Sequence, residues 1–164
     1  MNQHTSSKQT RAAGVLLGIG LGGFVDGIAL HQIAQWHNML SAKVPPITMD
    51  AMMLNMRADG WFHAMVFMFT LVGVMILYRA ARQGASFPPE RWFIGLLAIG
   101  WGVFNLVEGV INHHLLQLHH VRDLPVHLPA YDYAFLLIGG VGLMALGWLL
   151  TRGQVEPGTD HQRI

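Results

Sequence analysis

Four apolar stretches constrain this chain more than any other feature. Ala12–Leu30, Trp61–Tyr78, Trp92–Ile111 and Tyr133–Leu150 each come close to the ~20 residues a helix needs to cross ~30 Å of hydrocarbon. The first holds one acid, the second one histidine, the third one acid and the fourth no charge. Inside a bilayer every backbone N–H and C=O must be satisfied within the segment or a closed barrel, and runs of this length and pattern select helices. Composition agrees: 52% of the 164 residues are hydrophobic and 12% charged, against about 25% charged in soluble domains. The expected fold class is an all-α integral membrane protein, a four-helix transmembrane bundle.

The chain also repeats itself. In "DGIALHQIAQWH", Asp26 is followed by Gly27, His31, Gln35 and His37. Glu108, Gly109, His113, Gln117 and His119 keep that spacing 82 positions later. Helices one and three therefore run the same way. The chain reads as a single membrane domain of two parallel helix-loop-helix repeats, 12–83 and 84–151, with polar tails 1–11 and 152–164. Parallel repeats of this kind often place the functional site at their interface. A cleavable leader is the competing reading of the first span, since Lys8 and Arg11 precede it. The motif it shares with the third span argues against cleavage. Gly14, Gly18 and Gly22 form a small-residue ridge that lets helices approach closely in lipid.

Basic residues set the orientation. With the N-terminus inside, the inner regions hold Lys8, Arg11, Arg79, Arg82, Arg91, Arg152 and Arg163, whereas the outer loops hold only Lys43, Arg57 and Arg122. Both termini are expected in the cytoplasm. Trp61, Trp92 and Tyr133 are placed as interfacial anchors. Eight of the ten histidines then fall toward the outer face, all but His4 and His161.

Depth decides which of these groups can meet. At ~1.5 Å per residue, Asp26, His31, Asp59, His63, Glu108 and His113 share one outer layer. Asp59 and His63, four apart, lie on one helix face. An acid and a histidine five apart are offset by about 140° on an α-helix, so Asp26 with His31, and Glu108 with His113, are expected to flank a pocket. Buried carboxylates need a partner, and neutral imidazoles are poor counter-charges. A divalent or transition metal resolves the difficulty, with Zn, Fe and Cu not distinguished. Two acids and several histidines exceed the needs of one ion, which makes a dinuclear site reasonable. In the competing reading, neutral Asp26 and Glu108 hydrogen-bond to Asn105, Asn112, Gln35 or Gln117. Metal is preferred because ionisable groups inside membranes default to function. His37, His119 and His120 are weaker ligand candidates at the water edge, where the solvated reading is favoured for each alone. His114 is expected to face elsewhere, and His127 to sit in a loop. Met49, Met52, Met53 and Met56 at helical spacing suggest a short packing helix more than a Cu(I) surface.

The segments "GFVDGIALHQIAQWH", "ADGWFHA" and "FNLVEGVINHHLLQLHHVRD" resemble a domain-of-unknown-function family of small four-helix bacterial membrane proteins. The resemblance covers nearly the whole chain apart from its tails. It implies a bacterial inner (cytoplasmic) membrane protein, assigns no activity and slightly favours copper handling.

Three functions follow. The first is a metal-dependent membrane enzyme, hydrolase or oxidoreductase, in which Asp59 or Glu108 moves protons as the catalytic acid or base. The second is capture and delivery of copper or another metal. The third is structural or proton-transfer service without metal. Bis-histidine haem is a runner-up cofactor that adjacent buried acids suit poorly. The absence of cysteine removes thiolate sites. The lipid bilayer is the partner the composition requires. A second copy of the chain and a metal-receiving protein are compatible further partners, and scattered basic residues exclude nucleic acid.

Overall fold

The computed structural model describes residues 3–85 and 87–152. Among them every regular element is helical, and four helices are long and apolar enough to cross a membrane. The first, α1, is an α-helix over Gln3–Val25 that continues as a π-helix over Asp26–Ile33. The second, α2, spans Met49–Arg82. The third, α3, is α-helical over Glu90–Glu108 and π-helical over Gly109–Leu115. The fourth, α4, begins at Pro129–Ala134, passes through a π-helical stretch Phe135–Gly142 and ends as an α-helix over Leu143–Thr151.

Two expected boundaries move. The polar segment before Ala12 is helical from Gln3 rather than a tail. The methionine stripe is no separate helix. Met49 to Met56 open α2, whose 34 residues would reach about 50 Å at 1.5 Å per residue, well beyond the hydrocarbon. Thr48 caps that end by accepting from the Ala51 N–H at 3.2 Å. Gly84, at φ 74°, closes the other end in the left-handed turn that favours glycine. His161, Arg163 and the rest of the C-terminal tail beyond Arg152 lie outside the described residues.

The arrangement has a central pair and two flanks. α1 packs against both α2 and α3, and α3 packs against α4. The most apolar windows of α1 and α3 are each 44% buried, against 17% in α2 and 11% in α4. The flanking helices therefore turn large apolar side chains such as Phe67, Met68, Leu137 and Ile138 outward. That is the expected surface for lipid contact, where packing rather than water exclusion holds helices together.

The central crossing depends on two glycines. A Cβ on Gly18 would collide with the Leu97 carbonyl, and a Cβ on Gly100 with the Val15 carbonyl. These glycines, 82 positions apart, let two backbones touch. Gly14 and Gly22 meet Leu96 and Trp101 on the same side, so the glycine ridge of α1 faces α3. Trp61 is 79% exposed and Tyr133 also faces outward, as anchors should. Trp92 does not: it is 3% exposed, with the Arg11 guanidinium 5.3 Å from its ring centre. Its place at the start of a span identified it as an anchor, but packing against α1 claimed it.

Gly18→Leu or Gly100→Leu should destabilise the protein by at least about 1–3 kcal/mol through overpacking. Gly60→Ala, at an exposed site with nothing near its would-be Cβ, should stabilise by up to about 1 kcal/mol. Thermal unfolding in detergent measures both. Equal tolerance of all three would contradict the close crossing.

Candidate metal centre

The acids and histidines meet because α1 and α3 change pitch where the motif begins. A π-helix bonds i to i+5 and so brings residues five apart onto one face. Asp26 and Gly109 each open such a stretch. Asp26 Oδ2 consequently stands 3.3 Å from His31 Nε2, and Glu108 Oε1 stands 3.2 Å from His113 Nε2. The expectation that each pair would diverge by about 140° is corrected: it assumed an α-helix throughout.

Each π-helix ends at a glutamine in the left-handed region, Gln35 at φ 51° and Gln117 at φ 49°. The chain then doubles back, with Trp36 N bonded to Leu30 O and Leu118 N to Asn112 O. This reversal carries His37 and His119 down into the bundle end, where they are 1% and 0% exposed. Their expected solvation is therefore corrected as well. The two reversed segments clasp each other. His37 Nδ1 donates to Val121 O at 2.9 Å, and His119 Nδ1 donates to Met39 O at 3.1 Å. Leu124 N bonds to Trp36 O, Ala42 N to Leu118 O, and Ser41 Oγ donates to Asp123 Oδ2 at 2.6 Å. The two imidazoles stack with centroids 4.5 Å apart and planes 8° apart.

Asp59 and Asp132, near the starts of α2 and α4, brace this layer from outside. Asp59 accepts from His31 Nδ1 at 3.0 Å, the Met39 N–H at 2.8 Å and Asn38 Nδ2 at 2.8 Å. Asp132 accepts from the Val121 N–H at 2.8 Å, His120 Nδ1 at 2.9 Å and His127 Nε2 at 3.1 Å. Its Oδ1 also lies 3.3 Å from His113 Nδ1, without hydrogen-bond alignment. A carbonyl or carboxylate oxygen only accepts, so Nδ1 carries the proton in His31, His37 and His119. His37 Nε2 is left with its lone pair, whereas Nε2 of His31 and His119 face carboxylate oxygens at 3.3 and 2.8 Å and need a second proton or a cation there.

These inward atoms lie in the buried interior. Nε2 of His31, His37 and His113, Asp26 Oδ2 and Glu108 Oε2 are all buried without a hydrogen-bond partner. His119 Nε2 stands 2.8 Å from Glu108 Oε1, a contact that sets a lone pair against a carboxylate unless a proton or cation lies with them. Ligands held at ~2.0–2.2 Å around one ion stand roughly 3–3.5 Å apart, close to these separations. Two ligand groups result, His31 with His37 and His119, and Glu108 with His113 and His119, each with ligand atoms within 4.8 Å of one another. They share His119. Beneath lie the rings of Phe62 and Phe104 with Val66, and His31 stacks on Phe62 at 5.4 Å. Burial, reinforced by the neighbouring His119 and His31, holds the His37 imidazole well below the usual histidine range. Its Nε2 is therefore available at neutral pH.

Not every sequence candidate joins. Asp59 touches the ring of residues only through the outer nitrogen of His31. His63 donates Nδ1–H to the Asp59 carbonyl at 2.8 Å and lies against Gly27, outside the ligand groups. Both lie on one helix face, as expected, but that face presents the Asp59 carboxylate to His31. Of the amides anticipated for a metal-free network, Asn112 Nδ2 donates to Glu108 Oε1 at 3.4 Å, whereas Asn105 donates to Gly139 O. His114 is exposed. His120 joins a third group with His127 and Asp132. His127 was expected only to sit in a loop, because nothing around it repeats.

A cavity of about 610 Å³ reaches the centre beside His31, bounded by Asp59, His63, Asn38, Met52 and Met56. A second, of about 410 Å³ and mostly apolar, reaches Glu108 between α1, α2 and α3.

Such a bundle, with ionisable groups gathered at one end of its transmembrane helices, defines an integral membrane protein. The chain belongs to the family described as predicted membrane protein DUF2243, which matches residues 13–154. No curated protein and no solved structure matches it.

The left-handed glutamines supply a check. An L-residue there costs about 1–2 kcal/mol, so Gln35→Gly and Gln117→Gly should be neutral or stabilising in detergent unfolding. Gln35→Val should lose about 1–2 kcal/mol or more. A glycine variant as unstable as the valine one would mean that the side chain, not the backbone, matters.

Proposed function

We propose that the protein is a membrane metalloprotein with a dinuclear His/carboxylate centre, and that it works as a metal-dependent enzyme, a hydrolase or an oxidoreductase. The observation that carries this reading is the pattern of the buried imidazoles. His31, His37 and His119 each turn Nδ1–H outward to a carboxylate or carbonyl, and His113 turns Nδ1 toward Asp132. Outward anchoring of one nitrogen with the other left free is how metal-binding histidines are oriented. By the 82-residue spacing of the proposed repeat the residues form two sets, Asp26, His31, His37 and Glu108, His113, His119, although Asp26 stands outside the groups compact enough to share an ion, and His119 takes its place beside His31 and His37. Because both candidate groups draw on the one free nitrogen of His119, one shared chamber suits them better than two separate sites, with His119 able to serve a single ion and a second ion left to His31, His37 and the outlying Asp26.

Zn would supply a polarised substrate oxygen or an acidified water there, and Fe or Cu a redox couple. The chain supplies the rest. His31 and His37 hold lone pairs toward the interior. Asp59, with three donors on its two oxygens, positions His31 and is poorly suited to carry protons. Glu108, with Oε2 unpartnered and its side chain bordering the apolar cavity, is the group suited to exchange a proton. The two cavities supply approaches, one polar beside His31 and one apolar beside Glu108. The basic-residue asymmetry favours both termini in the cytoplasm of a bacterial inner membrane, with the centre toward the opposite face.

Capture and delivery of metal is the second reading. It is favoured by the partly exposed His120, His127 and Asp132 group and by Met52 and Met56 on the polar cavity, and it would require a metal-receiving partner protein.

Protein purified without chelator should hold two transition-metal ions per chain by mass spectrometry. His37→Ala and His113→Ala should each lower both. Asp59→Asn should weaken binding about 10–100-fold. Ions that resist exchange into a chelator support the enzyme, and readily exchanged ions support delivery. Undiminished metal in His37→Ala and His113→Ala, or no metal under replete growth, would end the proposal in favour of a metal-free network.

A further inference from the structure

We propose that His120, His127 and Asp132 form a second metal site, at the surface, that captures a divalent transition-metal ion and feeds the buried centre; the feeding step rests on the metal reading of that centre. The three residues offer ligand atoms within 4.8 Å of one another, once each neutral imidazole shifts its proton from the nitrogen facing Asp132 to the opposite ring nitrogen. His120 Nδ1 and His127 Nε2 approach the same oxygen, Asp132 Oδ2, at 2.9 and 3.1 Å. The two rings stack with centroids 3.9 Å apart and planes 20° apart. The His127 side chain is 40% exposed, while Asp132 is buried. One end of the group therefore meets solvent and the other meets the protein interior.

Comparison with the first half separates this group from ordinary bracing. Asn38 stands 82 positions before His120 and donates Nδ2–H to Asp59 Oδ2 at 2.8 Å. That single amide does for Asp59 what His120 does for Asp132. An asparagine is enough to hold the carboxylate, so the imidazole at 120 and the second imidazole at 127 exceed the structural need. Two imidazoles and one carboxylate suit Zn²⁺ or Cu²⁺ rather than Mg²⁺ or Ca²⁺. Three protein ligands at a solvent-facing site leave a position for water and allow exchange.

Asp132 also supplies the inward connection. Its Oδ2 serves the surface pair, while its Oδ1 lies 3.3 Å from His113 Nδ1. The His113 and His120 rings stand 6.4 Å apart, centroid to centroid. An ion on the surface pair is thus one carboxylate away from the second-half ligands of the centre.

Full-length protein in nanodiscs, stripped with chelator and reloaded with Zn²⁺, tests this. The variant is His120→Asn with His127→Ala, which restores the first-half bracing. Wild type should bind one rapidly exchanging Zn²⁺ per chain that the variant lacks. Uptake of slowly exchanging Zn²⁺ should be slower in the variant by about tenfold, the lower end of what loss of a supporting residue costs a metal site. A variant that keeps the rapidly exchanging ion overturns the surface site. Loss of that ion with unchanged uptake of the slow ions overturns the feeding role. If wild type holds no slowly exchanging ion while the variant still loses the fast one, the buried-centre reading fails and the surface site stands. Unfolding temperature reports whether the variant folds, and His127→Ala alone repeats the test with all bracing of Asp132 by residue 120 intact.

Discussion

A carboxylate inside a bundle that crosses hydrocarbon has to meet a cation, a proton or an array of donors. Asp26 and Glu108 present that demand at one end of the two central helices, and the surrounding architecture is arranged around it. The protein offers them mainly imidazole nitrogens, with Asn112 the one amide on Glu108 among the described residues, and it fixes those imidazoles from behind. Asp59 and the carbonyls of Met39 and Val121 take the outer N–H groups, while Asp132 lies behind His113. The inward nitrogens and the carboxylate oxygens are left facing one another, an arrangement that a shared proton or a bound cation satisfies.

Local backbone geometry and long-range packing each contribute to that arrangement. The π-helical stretches put acid and histidine on one face, although their spacing would separate them on an α-helix. The left-handed glutamines turn the chain back so that His37 and His119 enter the layer. The clasp between the two reversed segments then ties each half to the other, since each half supplies the carbonyl that orients the other's imidazole. Below, the contact of Gly18 with α3 and of Gly100 with α1 sets how close the central helices come, and hence how close the two triads lie.

The departure from symmetry is as informative as the symmetry. Clasp and triad recur at a spacing of 82 and the bracing acids Asp59 and Asp132 at 73, but His120 and His127 have no histidine counterparts in the first half, and His63 has none in the second. The added imidazoles lie where Asp132 approaches the surface, and His63 borders the polar cavity. The proposed chemistry thus has a shared core with different approaches on its two sides.

Much of this was written in the order of residues. Length and hydropathy of the four apolar runs determined the membrane-spanning helices, because hydrocarbon leaves the backbone few other options. The spacing of Asp26 and His31, met again at Glu108 and His113, identified four of the residues that gather, because equal spacing on equivalent helices brings equal groups to equal depth; His37 and His119 shared the repeat but were expected at the water edge. Only the tertiary structure decided how they face. Helical pitch at Asp26 and Gly109, the reversal after Gln35 and Gln117, the burial of Trp92, and the separation of ligand from brace between His31 and Asp59 all depend on contacts between distant segments. No local pattern encodes those contacts, because each is chosen by what the opposite half of the chain places against it.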